Sequence, residues 1–112
     1  REFLSDDLMK GVWGGSSMKF VNHFTTGKRW RPGKPHWEQG LVPHREYVRE
    51  ALAKGILVAG GPFMDHTGGL IILEAASWEE AQHLAENDPA VIEGKLEASI
   101  YPWEPLEGIF NE

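Results

Sequence analysis

Proton transfer or metal binding in this 112-residue chain falls to five histidines, at 23, 36, 44, 66 and 83, and to seventeen Asp and Glu residues. Histidine changes charge near neutral pH, so each is a candidate acid, base or ligand. Their spacing holds no His-x-His or His-Glu-x-x-His, and without cysteine there is no thiolate for zinc, iron–sulfur clusters or nucleophilic attack. No metal and no cofactor are expected. A serine nucleophile has no Gly-x-Ser-x-Gly elbow, and Gly60-Gly61 and Gly68-Gly69 lack the residues of a phosphate-cradling loop. General acid–base chemistry is what remains. His44 lies on the apolar stripe of a predicted helix, where a histidine is ordinarily a satisfied core residue. Asp88 precedes Pro89, where an aspartate is ordinarily an N-cap. His23, midway along a predicted strand, and Asp65-His66, in a predicted hairpin loop, are further pocket candidates.

The elements that must position these groups can be read from periodicity. Lys19–Thr25 alternates, with Phe20, Asn22 and Phe24 on one face and Val21, His23 and Thr25 on the other: strand one. Pro43 suits the first turn of a helix and Gly55 the position just past its end. Between them His44, Tyr47, Val48, Ala51 and Leu52 recur at helical spacing, while Arg45, Glu46, Arg49 and Glu50 are expected to face away. Ile56–Gly61 and Gly69–Ala75 are strands two and three, joined by a hairpin-like loop over Pro62–Gly68. Ser77-x-x-Glu80 is a capping box, opening a second helix whose expected buried stripe is Trp78, Ala81, Leu84 and Ala85 and which ends around Asn87. Asp88-Pro89 starts one more helical turn, through Val91, and Leu96–Trp103 is strand four, with Pro102 at its end or on an edge. The order βαββαβ predicts an α+β, ferredoxin-like fold, a four-stranded antiparallel sheet with two helices on one face.

Several of these segments together carry a resemblance. His44-Arg45-Glu46-Tyr47-Val48, Leu57-Val58-Ala59-Gly60-Gly61-Pro62, Gly68-Gly69-Leu70, Ser77-x-x-Glu80-Ala81 and Asn87-Asp88-Pro89-Ala90-Val91-x-x-Gly94 are similar in order and spacing to the YciI-like (YCII-related) proteins, over about Met18 to Trp103. The resemblance implies a protomer that pairs into a dimeric α+β barrel, and a His–Asp active-site pair that maps onto His44 and Asp88. One branch of that family is a dehydrochlorinase of chlorinated hydroxyquinols. A carboxylate on one imidazole nitrogen fixes the tautomer and leaves the other as a base, and the same aspartate can still cap a helix with its second oxygen.

This chain departs from the compact family pattern in the loop Thr26–Gly40. That loop holds two Pro, three Gly, and four Lys or Arg against one Glu, a net +3 within a chain of net charge −6, so the remaining residues stand at −9. Lys28, Arg29, Trp30, Arg31, Lys34, His36 and Trp37 interleave cations with aromatics. The loop can be a lid that attracts an anionic or phenolic ligand through Arg29, Trp30, Arg31, His36 and Trp37, a dimer contact, or a plain surface loop. Nucleic acid is a poor partner for so acidic a body, and no apolar run approaches the roughly 20 residues that cross a bilayer. A cytoplasmic homodimer is expected.

The chain is one domain long. Residues 1–17, with the linker-like Gly14-Gly15-Ser16-Ser17, are expected to be a flexible tail, a cloning remnant or an extension ahead of a natural start at Met18. The domain spans 18–105, and 106–112 form a C-terminal tail whose Ile109-Phe110 could lie across a dimer partner. Two functions fit: a lyase or isomerase in which His44 and Asp88 move protons on a cyclic oxygenated substrate, or a metabolite-binding module with the same pocket and no catalysis.

Overall fold

Phe20, Asn22 and Phe24 are buried in the computed structural model, which describes residues 8–10, 14–15 and 18–111, while Val21, His23 and Thr25 between them face the other way. They belong to strand β1 (Met18–Thr26). Helix α1 (Val42–Ala53), strands β2 (Leu57–Pro62) and β3 (Gly68–Ala75), helix α2 (Trp78–Glu86), a single turn α3 (Pro89–Ile92) and strand β4 (Leu96–Trp103) follow. The sheet order is β2-β3-β1-β4 with every neighbour antiparallel, so the chain has the expected ferredoxin-like α+β fold. Most of segment 1–17 lies outside the described residues; its two described pieces, Leu8–Lys10 and Gly14–Gly15, pair only with each other.

Register fixes what faces the helices. Phe20, Asn22 and Phe24 sit opposite Leu73, Ile71 and Gly69 on β3 and Pro102, Ile100 and Ala98 on β4, and this is the covered face. One core cluster gathers Phe24, Leu41, Ala90 and Leu96, with Trp30 and Ile71 against it; another gathers Phe20, Ala75 and Ala81. Between Leu57 and Ala59 the β2–β3 register shifts by one residue, a bulge at Val58 that periodicity did not show. Among the described residues no helix is long and apolar enough to cross a membrane.

Caps set the helix starts. The Ser77 hydroxyl accepts from the Glu80 N–H at 3.1 Å, and the Glu80 carboxylate reaches back to the Ala76 N–H at 2.7 Å. Two expectations about helix faces fail. Trp78, at the first position of α2, is 46% exposed, and the small residues Ala81 and Ala85 are the ones the helix buries. Leu52, at the last turn of α1, is 54% exposed, as α1 buries no residue completely. After β4, Phe110 turns back onto Trp103 of the same chain, ring centroids 6.0 Å apart, while Ile109 is exposed.

Candidate active site

Asp88 follows Asn87, the C-cap of α2, and caps α3. Its Oδ1 accepts the Ala90 N–H at 2.9 Å, satisfying one of the orphan amides of the α3 turn. His44, in the first turn of α1, brings its Nδ1 to 2.7 Å from Oδ2 and 2.9 Å from Oδ1 of the same carboxylate. With the carboxylate ionised and the imidazole neutral, Nδ1 donates to Asp88 and Nε2 keeps its lone pair. The Asp88 side chain is 2% exposed and that of His44 16%, so the carboxylate is sealed and the imidazole is reachable. Phe24 meets the His44 ring edge-on, centroids 5.4 Å apart, which holds its plane.

Below this pair the Tyr47 hydroxyl donates to the Leu84 carbonyl at 2.7 Å, tying α1 to α2. Burial first, then the negative charges of Asp88 and Glu50, push the Tyr47 hydroxyl above the ordinary tyrosine range. Asn22, Tyr47 and Asp88 line a small void of about 20 Å³, and the buried Asn22 Oδ1 has no hydrogen-bond partner.

His44 opens on a cavity of about 440 Å³. One wall is an arc of α1 comprising His44, Arg45, Val48 and Arg49. Opposite lie Trp30 and His36 of the long loop. Gly60 and Gly61 of β2 and Gly68 and Gly69 of β3 form a side wall without side chains, and Phe24, Ile71 and Leu96 form the floor. The loop is built rather than draped. Buried Gln39 accepts the Arg31 N–H at 2.8 Å and donates to the carbonyls of Arg31 at 3.0 Å and Lys34 at 2.9 Å. Lys95 Nζ donates to the Gly40 carbonyl at 2.9 Å, which pins the loop's end to β4.

Of the residues singled out in the sequence, His44 and Asp88 meet, and His44, Trp30 and His36 line the cavity. The others lie elsewhere. His23 faces the uncovered side of the sheet, against Phe63, as its place in the alternation requires. Arg29 lies along Gly94, because the amides of Gly27 and Arg29 bond to the Lys95 and Gly94 carbonyls and draw that end of the loop to the α3–β4 turn. Arg31 is exposed, its guanidinium on the Glu38 carbonyl at 3.2 Å. Asp65 is exposed and accepts from the Thr67 hydroxyl at 2.6 Å and amide at 3.2 Å, which holds its carboxyl below the usual range. His66 sits at φ 63° in the hairpin turn, its Nδ1 3.3 Å from His36 Nδ1, and the largely exposed Trp37 packs edge-on against both rings. The sequence pattern gave no sign of Arg45 and Arg49: their helical positions face away from the sheet, yet the long loop makes that side of α1 an inner wall.

With this geometry in place, the sequence pattern of the YCII-related domain matches residues 18–104. The chain belongs to the YCII-related family. An uncharacterized protein of Bacillus subtilis (strain 168), YjpA, is 36% identical over 67 residues, 60% of this chain and 79% of that protein. Among solved structures, 5-chloro-2-hydroxyhydroquinone dehydrochlorinase (TftG) from Burkholderia phenoliruptrix AC1100, in complex with 2,5-dihydroxybenzoquinone, superposes with a TM-score of 0.63 at 26% identity. It covers 85% of this chain and 100% of its own. At this coarse level the YCII-related fold, with a small-molecule enzyme among its neighbours, is what the protein shares.

Proposed function

We propose that the protein is a small-molecule enzyme in which His44 Nε2 removes and returns a proton on a cyclic, oxygenated substrate, a lyase or isomerase reaction of elimination or tautomerisation type. The observation that carries this reading is the His44–Asp88 contact at 2.7 Å beside the cavity. Asp88 fixes the tautomer and offsets the imidazolium charge that forms during the reaction; positioned catalysis of this kind contributes about 10² to 10⁴ in rate. Activated carbon acids, such as phenols, quinones and β-dicarbonyls, fall within reach of that gain. The dehydrochlorinase neighbour, solved with a dihydroxybenzoquinone, is consistent with a phenolic or anionic ring as the substrate.

The protein is also proposed to act as a cytoplasmic homodimer. The outer face of the sheet presents Val21, Leu70 and Tyr101, which no helix of the same chain covers. A second protomer laid on that face would complete the core and form the barrel. Light scattering at micromolar concentration should give twice the chain mass.

The chemistry can be tested through its first step alone, removal of the proton. Hydroxyquinols and cyclic β-dicarbonyls are incubated in D2O with the protein, and exchange at the acidic ring carbon is followed by proton NMR. The wild type should accelerate exchange and His44→Ala should lose the acceleration while keeping its fold. Saturable binding of these compounds without exchange would instead make the protein a binding module.

A further inference from the structure

The cavity is charged in a way the chain as a whole is not. The protein carries net −6, yet the ionisable side chains that line the cavity are Arg45, Arg49, His44 and His36, with no carboxylate among them. Asp88 is sealed behind His44 and committed to its Nδ1 and to the Ala90 amide. Neither arginine has an ion-pair partner among the described residues, whereas the nearby Glu50 is paired with Lys54 at 3.5 Å. The rest of the lining is apolar or backbone: Trp30, Val48 and Phe24 on three sides, and the glycine wall on the fourth.

Arg45 and Arg49 are four residues apart, so they stand one turn above the other on the same side of α1, about 6 Å along its axis. His44 begins this arc at the helix start and Arg49 ends it. Both arginines border the cavity with solvent on their other side, and a guanidinium binds a carboxylate or ring oxyanion through paired N–H donors aimed at two oxygens.

From this arrangement we propose that Arg45 and Arg49 are specificity-determining residues that anchor a planar ring through a negatively charged substituent, with the reacting edge of the ring turned toward His44. The inference rests on the active site proposed above and adds to it the charge and shape of its substrate. Neutral rings enter without an anchor.

The test compares 4-hydroxybenzoate with 4-hydroxybenzamide, two probes of nearly the same shape that differ in charge, by titration calorimetry at low salt. The acid should bind the wild type roughly tenfold or more tighter than the amide, as expected for one charge-assisted contact, and added salt should shrink the ratio. Arg45→Gln together with Arg49→Gln should bring the ratio near one, and each single variant should fall between. Equal binding of acid and amide by the wild type, no detectable binding of the acid at millimolar concentration, or a ratio that survives in the double variant would overturn the proposal. The dyad is judged separately. Loss of exchange in His44→Ala with no acid preference sinks the anchor and leaves the chemistry standing, while an acid preference without any exchange does the reverse.

Discussion

His44 and Asp88, 44 residues apart in sequence, share a carboxylate that is at once a histidine partner and a helix cap: Oδ1 takes the Ala90 amide while Oδ2 lies 2.7 Å from the imidazole. The two duties respond differently to substitution. Asp88→Asn keeps an oxygen for the Ala90 amide, so stability should fall by less than about 1 kcal/mol. Its amide would donate to His44 Nδ1 and move the ring proton to Nε2, removing the base. Nitrogen NMR of the imidazole should show the opposite tautomer, and proton exchange should be lost. Asp88→Ala should cost about 1 to 2 kcal/mol more, because the cap goes as well. An Asn variant with the wild-type tautomer would refute this reading.

Gln39 should be the residue on which the loop's shape depends. Its three bonds to Arg31 and Lys34 are made from a side chain 1% exposed, so Gln39→Ala leaves a buried void and unpaired backbone groups. A loss of about 2 kcal/mol is expected. Trypsin should then cut after Lys28 or Arg29, the basic residues of the loop not followed by proline, well below the melting temperature. Unchanged protease resistance would show that the loop is held by other contacts.

Tyr47 predicts an alkaline weakness. Its hydroxyl sits above the ordinary range through burial and the charges of Asp88 and Glu50, so the folded state holds this proton more tightly than the unfolded chain does. The resulting stability is fully present below about pH 10 and is lost as pH rises through the higher folded value. Tyr47→Phe should lose about 1 kcal/mol at neutral pH, with the Leu84 hydrogen bond, and should show a shallower fall in Tm above about pH 10. Parallel Tm curves for the two proteins would contradict the assignment.

Two glycines with positive φ should behave unlike each other. Gly33, at φ 78°, has nothing within 4 Å of where a Cβ would stand, so Gly33→Ala should cost about 1 kcal/mol, the strain of the left-handed backbone alone. Gly68, at φ 138°, would drive a Cβ into the Phe24 carbonyl where β3 meets β1. Gly68→Ala should cost at least about 3 kcal/mol. Thermal melts of both variants decide the point.

The elements were legible because local chemistry marks their boundaries: Pro43 in the first turn of α1, the Ser77–Glu80 box, and Asp88 before Pro89 all stand where the residues placed them. The β1 alternation settled which face is covered. What could not be read was how a loop bends back. Arg45 and Arg49 look solvated on a helical projection, and only the path of 27–40, held by Gln39 and Lys95, turns their side of α1 into a wall. The same path carries Arg29 and Arg31 away from the cavity they were expected to serve. The bulge at Val58 was hidden for a similar reason, since one extra residue in a short apolar run leaves no mark on its pattern.

The glycine wall also bears on where the sheet tolerates change. Gly60 and Gly69 are closed to change, since a Cβ at either would strike the neighbouring strand, but at Gly61 the added carbon meets nothing within 4 Å. Gly61 lies on the outer strand at the cavity's rim, without the positive φ that would demand glycine. Gly61 pairs with Leu70, so alanine, serine or valine there would add to the sheet's outer face and leave the backbone, the cavity and the His44–Asp88 pair as they are. One codon in this chain is thus free to reshape the surface a second protomer would cover without touching the pocket, and a saturation library at that single position separates association from ligand binding.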